Sequence, residues 1–374
     1  MTDTLTPTEL VEASRRVLDA ELSAPTGLET QPLIERRKNL QPHLEALGWF
    51  DLLSDPEKGG LGLPPSFAAR LIRLAGAYLA PGPLVEQVLT VPWLLTNPSV
   101  RSGILSESSG LATVTVDPCR DVADKGGRSH IQLVGGKLRG RALCVLGAVD
   151  ADAMLVHVTE DGAERLVMLP TSQPGLEVQV LRSSDPCQSV GNVALDCDIS
   201  DEQVIGSEDE SLPIKLRAWT RLGAGEYLAG ITERVLTFGA NYAREREQFG
   251  RKIGSFQAVQ HLLADLAVAS RSLANLMDLA STELSSVADD DERVMIAVTA
   301  KARASTEAVV ACEAILQVLG GIGYTVEHPL HHYFKRALSL AAQHGSPTEL
   351  HVLAGRLLLA QNRRGERSSI KEVS

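Results

Sequence analysis

The stretch Tyr242–Gln257, YAREREQFGRKIGSFQ, decides how the rest of the chain is read. It closes a long run of helix-forming residues and ends in a glycine-punctuated turn. Arg244 and Arg246 lead into Gln248, Phe249 and Gly250, then Lys252, Ile253, Phe256 and Gln257. A helix end that offers a guanidinium, a side-chain amide and an aromatic ring together grips a phosphate and stacks on a flat ring. The same residues also read as a charged, solvated helix face followed by a loop. On the residues alone, both readings stand.

Outward from this stretch the chain is helical in both directions. Ile214–Tyr242 reads as one helix, with Leu216, Leu222, Leu228, Ile231, Val235 and Phe238 near one side. Ser255–Ser285 reads as a second, dense in Leu and Ala. Asp289, Asp290 and Asp291 open a third, Glu292–Leu319, where acidic side chains favour the positive end of the helix dipole. Pro329–Gln343 is a fourth. Ser346-Pro347-Thr348-Glu349 is a capping box that opens a last helix to about Gln361, and Arg363–Ser374 reads as a frayed polar tail. Helices joined by short loops make an antiparallel bundle over 213–374.

Upstream, 106–212 switches to short runs rich in Val, Leu, Ile and Thr: Leu111–Val116, His130–Val134, Met154–Val158, Glu164–Met168 and Leu176–Val180. Gly135-Gly136, Asp161-Gly162 and Gln173-Pro174-Gly175 separate them, which predicts a small β-barrel or sandwich. Residues 1–105 read as helical. Thr6-Pro7-Thr8-Glu9 gives one helix start, Leu40–Leu53 is amphipathic, and the breaker-rich turn Asp55–Gly62 precedes an apolar helix Phe67–Leu79. The fold class is α+β multidomain: an N-terminal helical domain (1–105), a small β-barrel (106–212) and a C-terminal antiparallel four-helix-type bundle (213–374).

The 374 residues carry 44% hydrophobic and 22% charged side chains, within the range of a globular protein. A net charge of −11 argues against a general nucleic-acid or anionic-membrane surface. No uninterrupted apolar run is long enough to predict a transmembrane helix, and the N-terminus MTDTLTPTEL does not read as a signal peptide. Cys119, Cys144, Cys187, Cys197 and Cys312 fit no zinc or disulfide spacing, so they are expected to be reduced thiols in a cytoplasmic protein.

Tyr-x-x-x-Arg-x-x-Phe-Gly-x-x-Ile-x-x-Phe-Gln, followed by Leu263-Ala264-Asp265, resembles a signature of the acyl-CoA dehydrogenases. Gln317-Val318-Leu319-Gly320-Gly321-Ile322-Gly323-Tyr324 resembles the family's second signature, in the right order. The resemblance covers the C-terminal half closely and the N-terminal half, through Gly59–Gly62 and the helix after it, loosely. It implies a flavoprotein that makes a 2,3-double bond in an acyl-CoA, with FAD as cofactor and an electron-transfer flavoprotein as a type of acceptor. In family homotetramers these motifs reach across an interface to a neighbour's flavin. The matching positions are Arg246, Gln248, Phe249, Ile253, Phe256, Gln257, Gln317, Gly320 and Gly321.

Removing a proton beside a thioester carbonyl needs a positioned base, and the family uses a glutamate at one of two places. Counting from Gln317 puts the first at His344, within Gln343-His344-Gly345-Ser346; counting back from Tyr242 puts the second at Thr220. Glu226 and Glu327 lie nearby but occupy neither position. The sheet region departs as well. Val116-Asp117-Pro118 stands in for Thr-Glu-Pro, and in Leu138–Gly147 Cys144 and Leu146 stand where the family's flavin-contacting Trp and Thr belong. The resemblance therefore implies a non-catalytic, FAD-contacting subunit, like those of bacterial heterotetrameric acyl-CoA dehydrogenases, many in actinobacterial sterol catabolism. Glu327-His328-Pro329-Leu330-His331 resembles that subgroup too, and no metal site is expected at its histidines. Two alternatives stay open: a self-sufficient dehydrogenase with His344 as base, whose neutral imidazole takes a proton near pH 7, and a flavin-free binding or scaffolding protein.

Overall fold

A computed structural model describes residues 6–22, 33–97, 100, 113–116, 130–185, 187–206 and 208–372. Among the described residues four α-helices come first: α1 (Pro7–Leu22), α2 (Leu33–Ala46), α3 (Pro65–Ala77) and α4 (Val91–Leu95). Thr6 and Glu9 cap α1 reciprocally, with the Thr6 amide donating to Glu9 Oε2 at 2.8 Å. The amphipathic stretch expected over Leu40–Leu53 is helical only to Ala46. Gly48, at φ 75°, turns the chain so that Trp49, Phe50, Leu52 and Leu53 enter the core. A π-helical turn, Glu86–Thr90, runs directly into α4.

Among the described residues the middle of the chain forms eight strands: β1 (Thr113–Val116), β2 (His130–Val134), β3 (Lys137–Leu146), β4 (Ala153–Glu160), β5 (Ala163–Pro170), β6 (Leu176–Leu181), β7 (Val190–Asp198) and β8 (Val204–Ile205). They make one mixed sheet in the order β6-β7-β3-β2-β4-β5-β8, with β1 parallel to β4. β7, which the sequence reading passed over, sits between β6 and β3. Its Gly191, Asn192 and Asp196 interrupt the apolar run that would have announced it. The side chains alternate between two cores. Met154, Val156, Val167 and Leu169 join Ile131, Leu138 and Val193 on one face, whereas Leu155, Leu166 and Met168 meet Leu94, Leu212 and Leu216 of the helices on the other.

The C-terminal helices are α5 (Leu212–Glu245), α6 (Gln257–Ser286), α7 (Asp290–Leu319), α8 (Leu330–Ala342) and α9 (Pro347–Glu372). Between α5 and α6 lies a hairpin, β9 (Glu247–Gln248) with β10 (Arg251–Lys252). α9 begins at the predicted capping box, where Ser346 N and Oγ both donate to Glu349 Oε2 at 2.8 Å, but it continues to Glu372 instead of fraying near Gln361. α5 is the axis of the molecule, packed on α3, α6, α7 and α8 and buried nearly all round between Leu212 and Thr232. Its backbone touches that of α3, because a Cβ on Gly230 would lie 1.9 Å from Arg73 O and one on Gly76 would lie 2.0 Å from Tyr227 O. The segment Asp290–Tyr324 is long and apolar enough, by length and composition, to cross a membrane, which the sequence reading had not expected. Here it is a bundle helix whose inner face packs on α5 and carries the buried Lys301.

Candidate functional site

α5 stops at Glu245 because Arg246 leaves helical geometry (ψ 130°) while its amide still donates to Tyr242 O at 2.8 Å. The β9–β10 hairpin then closes through Phe249 (φ 53°) and Gly250 (φ 78°), a two-residue turn with both central residues left-handed. Such a backbone is costly for a bulky side chain, and the phenylalanine held there is 91% exposed. The hairpin is braced. Ile253 N donates to Arg246 O at 2.8 Å, Lys252 Nζ donates to Glu245 O at 3.0 Å, and the Arg251 guanidinium stacks 4.0 Å from the Phe256 ring centroid. Arg244, Arg246 and Gln248 are exposed around it, and Gln257 is the first residue of α6.

The second motif lies at the same end of the bundle. Gly239 of α5 abuts Ile315 and Leu263, so the ends of α5 and α7 run side by side. Gln317 is exposed on the last turn of α7. Gly320 has φ 62° and ψ −135°, a backbone open only to glycine, and a Cβ on Gly320 or Gly321 would meet nothing within 4 Å. The open backbone, exposed amide, guanidinium and aromatic ring fit the outward presentation of groups to an anionic, aromatic cofactor held elsewhere.

The two base positions lie far from this surface. With a rise of about 1.5 Å per residue, Thr220 and Glu245 are roughly 37 Å apart along α5. Thr220 is buried, and its hydroxyl donates to Leu216 O of its own helix at 3.0 Å. His344 (φ 57°) and Gly345 (φ 102°) form a left-handed loop between α8 and α9 that is clamped from three sides. Arg221 Nε donates to His344 O at 3.1 Å, and the buried Lys301 Nζ donates to Ala341 O at 2.8 Å and to Gly345 O at 2.7 Å. Gln343 Nε2 donates to Cys144 O at 3.0 Å.

That last bond joins the loop to the flavin-facing strand of the resemblance. The β3–β7 ladder breaks between Ala142 and Val145, and Cys144 bulges out at φ 55°, its amide donating to Asn192 Oδ1 at 3.1 Å. Leu146 packs against the helical core. Leu146, Tyr227, Arg336, Leu340 and His344 close around a cavity of about 30 Å³. This volume admits little more than water. The residues here do not fit an isoalloxazine ring and an acyl chain. Asp117 and Pro118 lie outside the described residues, as does Cys119.

Sequence reasoning missed several groups at this end. Glu86 lines the cavity with His344 and is the one carboxylate among its described lining residues. Lys301, Arg221 and Gln343 hold the loop, and no local pattern marks them. Glu226 is buried and paired with Arg73, Nε to Oε2 at 2.6 Å, with Arg73 Nη2 also 2.9 Å from Asp278 Oδ1. Burial raises the Glu226 carboxyl and Arg73 draws it part of the way back, which leaves it at about 7. Glu327 is exposed. Among the described residues no group of three His, Cys, Asp or Glu could hold a metal, and Cys144, Cys187, Cys197 and Cys312 are free thiols.

Residues 214–353 match the acyl-CoA dehydrogenase C-terminal domain family. Acyl-CoA dehydrogenase FadE34 of Mycobacterium tuberculosis is 28% identical over 298 residues, covering 79% of this chain but only 38% of that protein. A variant of the Tcur3481-Tcur3483 steroid ACAD superimposes with TM-score 0.82 at 22% identity, over 96% of this chain and 98% of that one. A chain of the ChsE4-ChsE5 complex from Mycobacterium tuberculosis does so with TM-score 0.79 at 25% identity, over 96% and 99%.

Proposed function

We propose that this chain is the non-catalytic, FAD-contacting subunit of a heteromeric acyl-CoA dehydrogenase, a reading supported by the match of residues 214–353 to the acyl-CoA dehydrogenase C-terminal domain and by the likeness of the whole fold to a chain of the ChsE4-ChsE5 complex. The observation that carries the reading is the cavity of about 30 Å³ at Leu146, Tyr227 and His344, too small for an acyl thioester, in a chain that still holds its Arg246–Gln257 surface open. The three units are 1–105, 106–212 and 213–374. The partner subunit supplies the base and the ring-binding pocket. The oligomer acts on an acyl-CoA in the cytoplasm, in lipid or sterol side-chain catabolism, and passes electrons to an acceptor such as an electron-transfer flavoprotein. The heteromeric complex among its structural neighbours supports this assembly.

FAD, when bound, supplies the hydride acceptor. Arg246 of this chain would neutralise its pyrophosphate, Phe249 and Phe256 would offer ring faces, and Gln248, Gln257 and Gln317 would donate side-chain amide hydrogens. Ile253 supports the hairpin base, and Gly320 and Gly321 leave backbone exposed to close approach. The test is the flavin-to-protein absorbance ratio after purification alone and after co-expression with a catalytic subunit. We expect little flavin alone and near-stoichiometric flavin in the complex. Near-stoichiometric flavin in the lone chain would overturn the reading.

A self-sufficient enzyme is the second reading, favoured by His344 and Glu86 lining one cavity. It requires turnover by the lone, flavin-loaded chain, and loss of that turnover in His344→Ala or Glu86→Gln.

A further inference from the structure

One ammonium ties the chain on both sides of Arg246. Lys252 Nζ donates to Glu245 O, one residue before it, at 3.0 Å, and pairs with Glu247 Oε1, one residue after it, at 2.8 Å. Glu247 and Lys252 also face each other in the β9–β10 register. Arg246 itself is pinned through its backbone: its amide donates to Tyr242 O and its carbonyl accepts from the Ile253 amide, each at 2.8 Å. Its guanidinium therefore springs from a backbone held at four points.

The hairpin needs that support. Two residues per strand are marginal by themselves, and the turn holds Phe249 at φ 53°, costly for a bulky side chain. α5 also ends here, where the last carbonyls of a helix lack partners within it and a cation suits the negative end of the dipole. Lys252 answers both, with one donor on the Glu245 carbonyl and another across the ladder. The exit from the hairpin is fixed as well. Ser255 Oγ donates to Lys252 O at 2.7 Å, and a Cβ on Gly254 would lie 2.8 Å from Ala243 O, so the chain rests on the last turn of α5. The Lys252 ammonium is thus engaged by its own chain, and Glu247 is a carboxylate, which repels a pyrophosphate.

We propose that Lys252 and Glu247 are positioning residues for the flavin contact at Arg246, locking the hairpin while touching no cofactor themselves. This rests on the reading of Arg246 as a pyrophosphate partner. Charge and position predict opposite signs for Glu247→Gln. Removing a negative charge beside Arg246 tightens the binding of an anion if charge alone matters, whereas loosening the lock weakens it. In the complex co-expressed with a catalytic subunit, FAD affinity should fall about two- to fivefold in Glu247→Gln, the reach of an exposed ion pair. It should fall further in Lys252→Met and be restored in Lys252→Arg. In the full chain alone, the Ile253 amide should exchange faster in Glu247→Gln and in Lys252→Met, at an unchanged melting temperature. FAD affinity raised or unchanged in Glu247→Gln, or unchanged exchange at Ile253, would overturn the proposal. Arg246→Ala tells the two ideas apart. If it weakens FAD binding while Glu247→Gln does not, the lock alone fails; if Arg246→Ala changes nothing, the flavin reading fails and the lock's role falls with it.

Discussion

Replacing Lys301 by Met tests whether the His344 loop is held as a structural element rather than poised for chemistry. Methionine keeps an unbranched stem of similar length and removes only the ammonium. Two hydrogen bonds are lost, to Ala341 O at 2.8 Å and Gly345 O at 2.7 Å. Bonds from a charged donor contribute about 1.5–3 kcal/mol each, and a buried carbonyl left unpaired costs about 1–3 kcal/mol. Against this stands the relief of no longer burying a charge on a fully buried side chain. We expect a net loss of about 3 kcal/mol, read as a lower urea midpoint at unchanged slope. Faster amide exchange at Gly345 and Ser346 should accompany it. Gln317 lies roughly 24 Å further along α7, so flavin affinity of the co-expressed complex should not change. A loss below about 1 kcal/mol, as at a typical exposed position, would refute the clamp. Flavin lost in proportion to stability would refute the separation of the two ends.

Arg246→Ala should weaken flavin binding by the assembled complex roughly 10–150-fold, from the loss of about 1.5–3 kcal/mol of charge-assisted pairing; unchanged affinity by flavin titration would remove the pyrophosphate role. His344→Ala should leave turnover of the complex within about threefold, less than 1 kcal/mol of barrier, whereas loss of a true base costs about 10²–10⁴-fold. Glu226 supplies a pH dependence. Its carboxyl is raised from 4.5 to about 7, so the folded state holds this proton more firmly than the unfolded state. That contribution is fully present below pH 4.5 and fades as pH rises to 7. Glu226→Gln should flatten the decline of stability across this window, and an unchanged slope in urea titrations at pH 5, 6 and 7 would show that Glu226 is ionised throughout.

What the sequence determined by itself is what repeats locally. Helical spacing and the Ser346–Glu349 box set the bundle, with the last helix ending later than its composition suggested. The resemblance put the two base positions at 220 and 344, where the sequence has Thr and His and no carboxylate. The motif around Arg246 predicted a helix end with an exposed aromatic, and Phe249 stands out at a strained turn. What only the tertiary structure decided is how residues far apart in the chain were paired. The Cys144 bulge depends on the register with β7, a strand whose polar residues hid it. Arg73 meets Glu226 across 153 residues, and Asp185 meets Arg336 across 151. The Lys301 clamp and the closure of the cavity around Leu146 and His344 are of the same kind. Periodicity reports only the i, i+2 and i, i+4 neighbours that one element brings together. A buried charge finds its partner through packing between elements, and no local pattern records that choice.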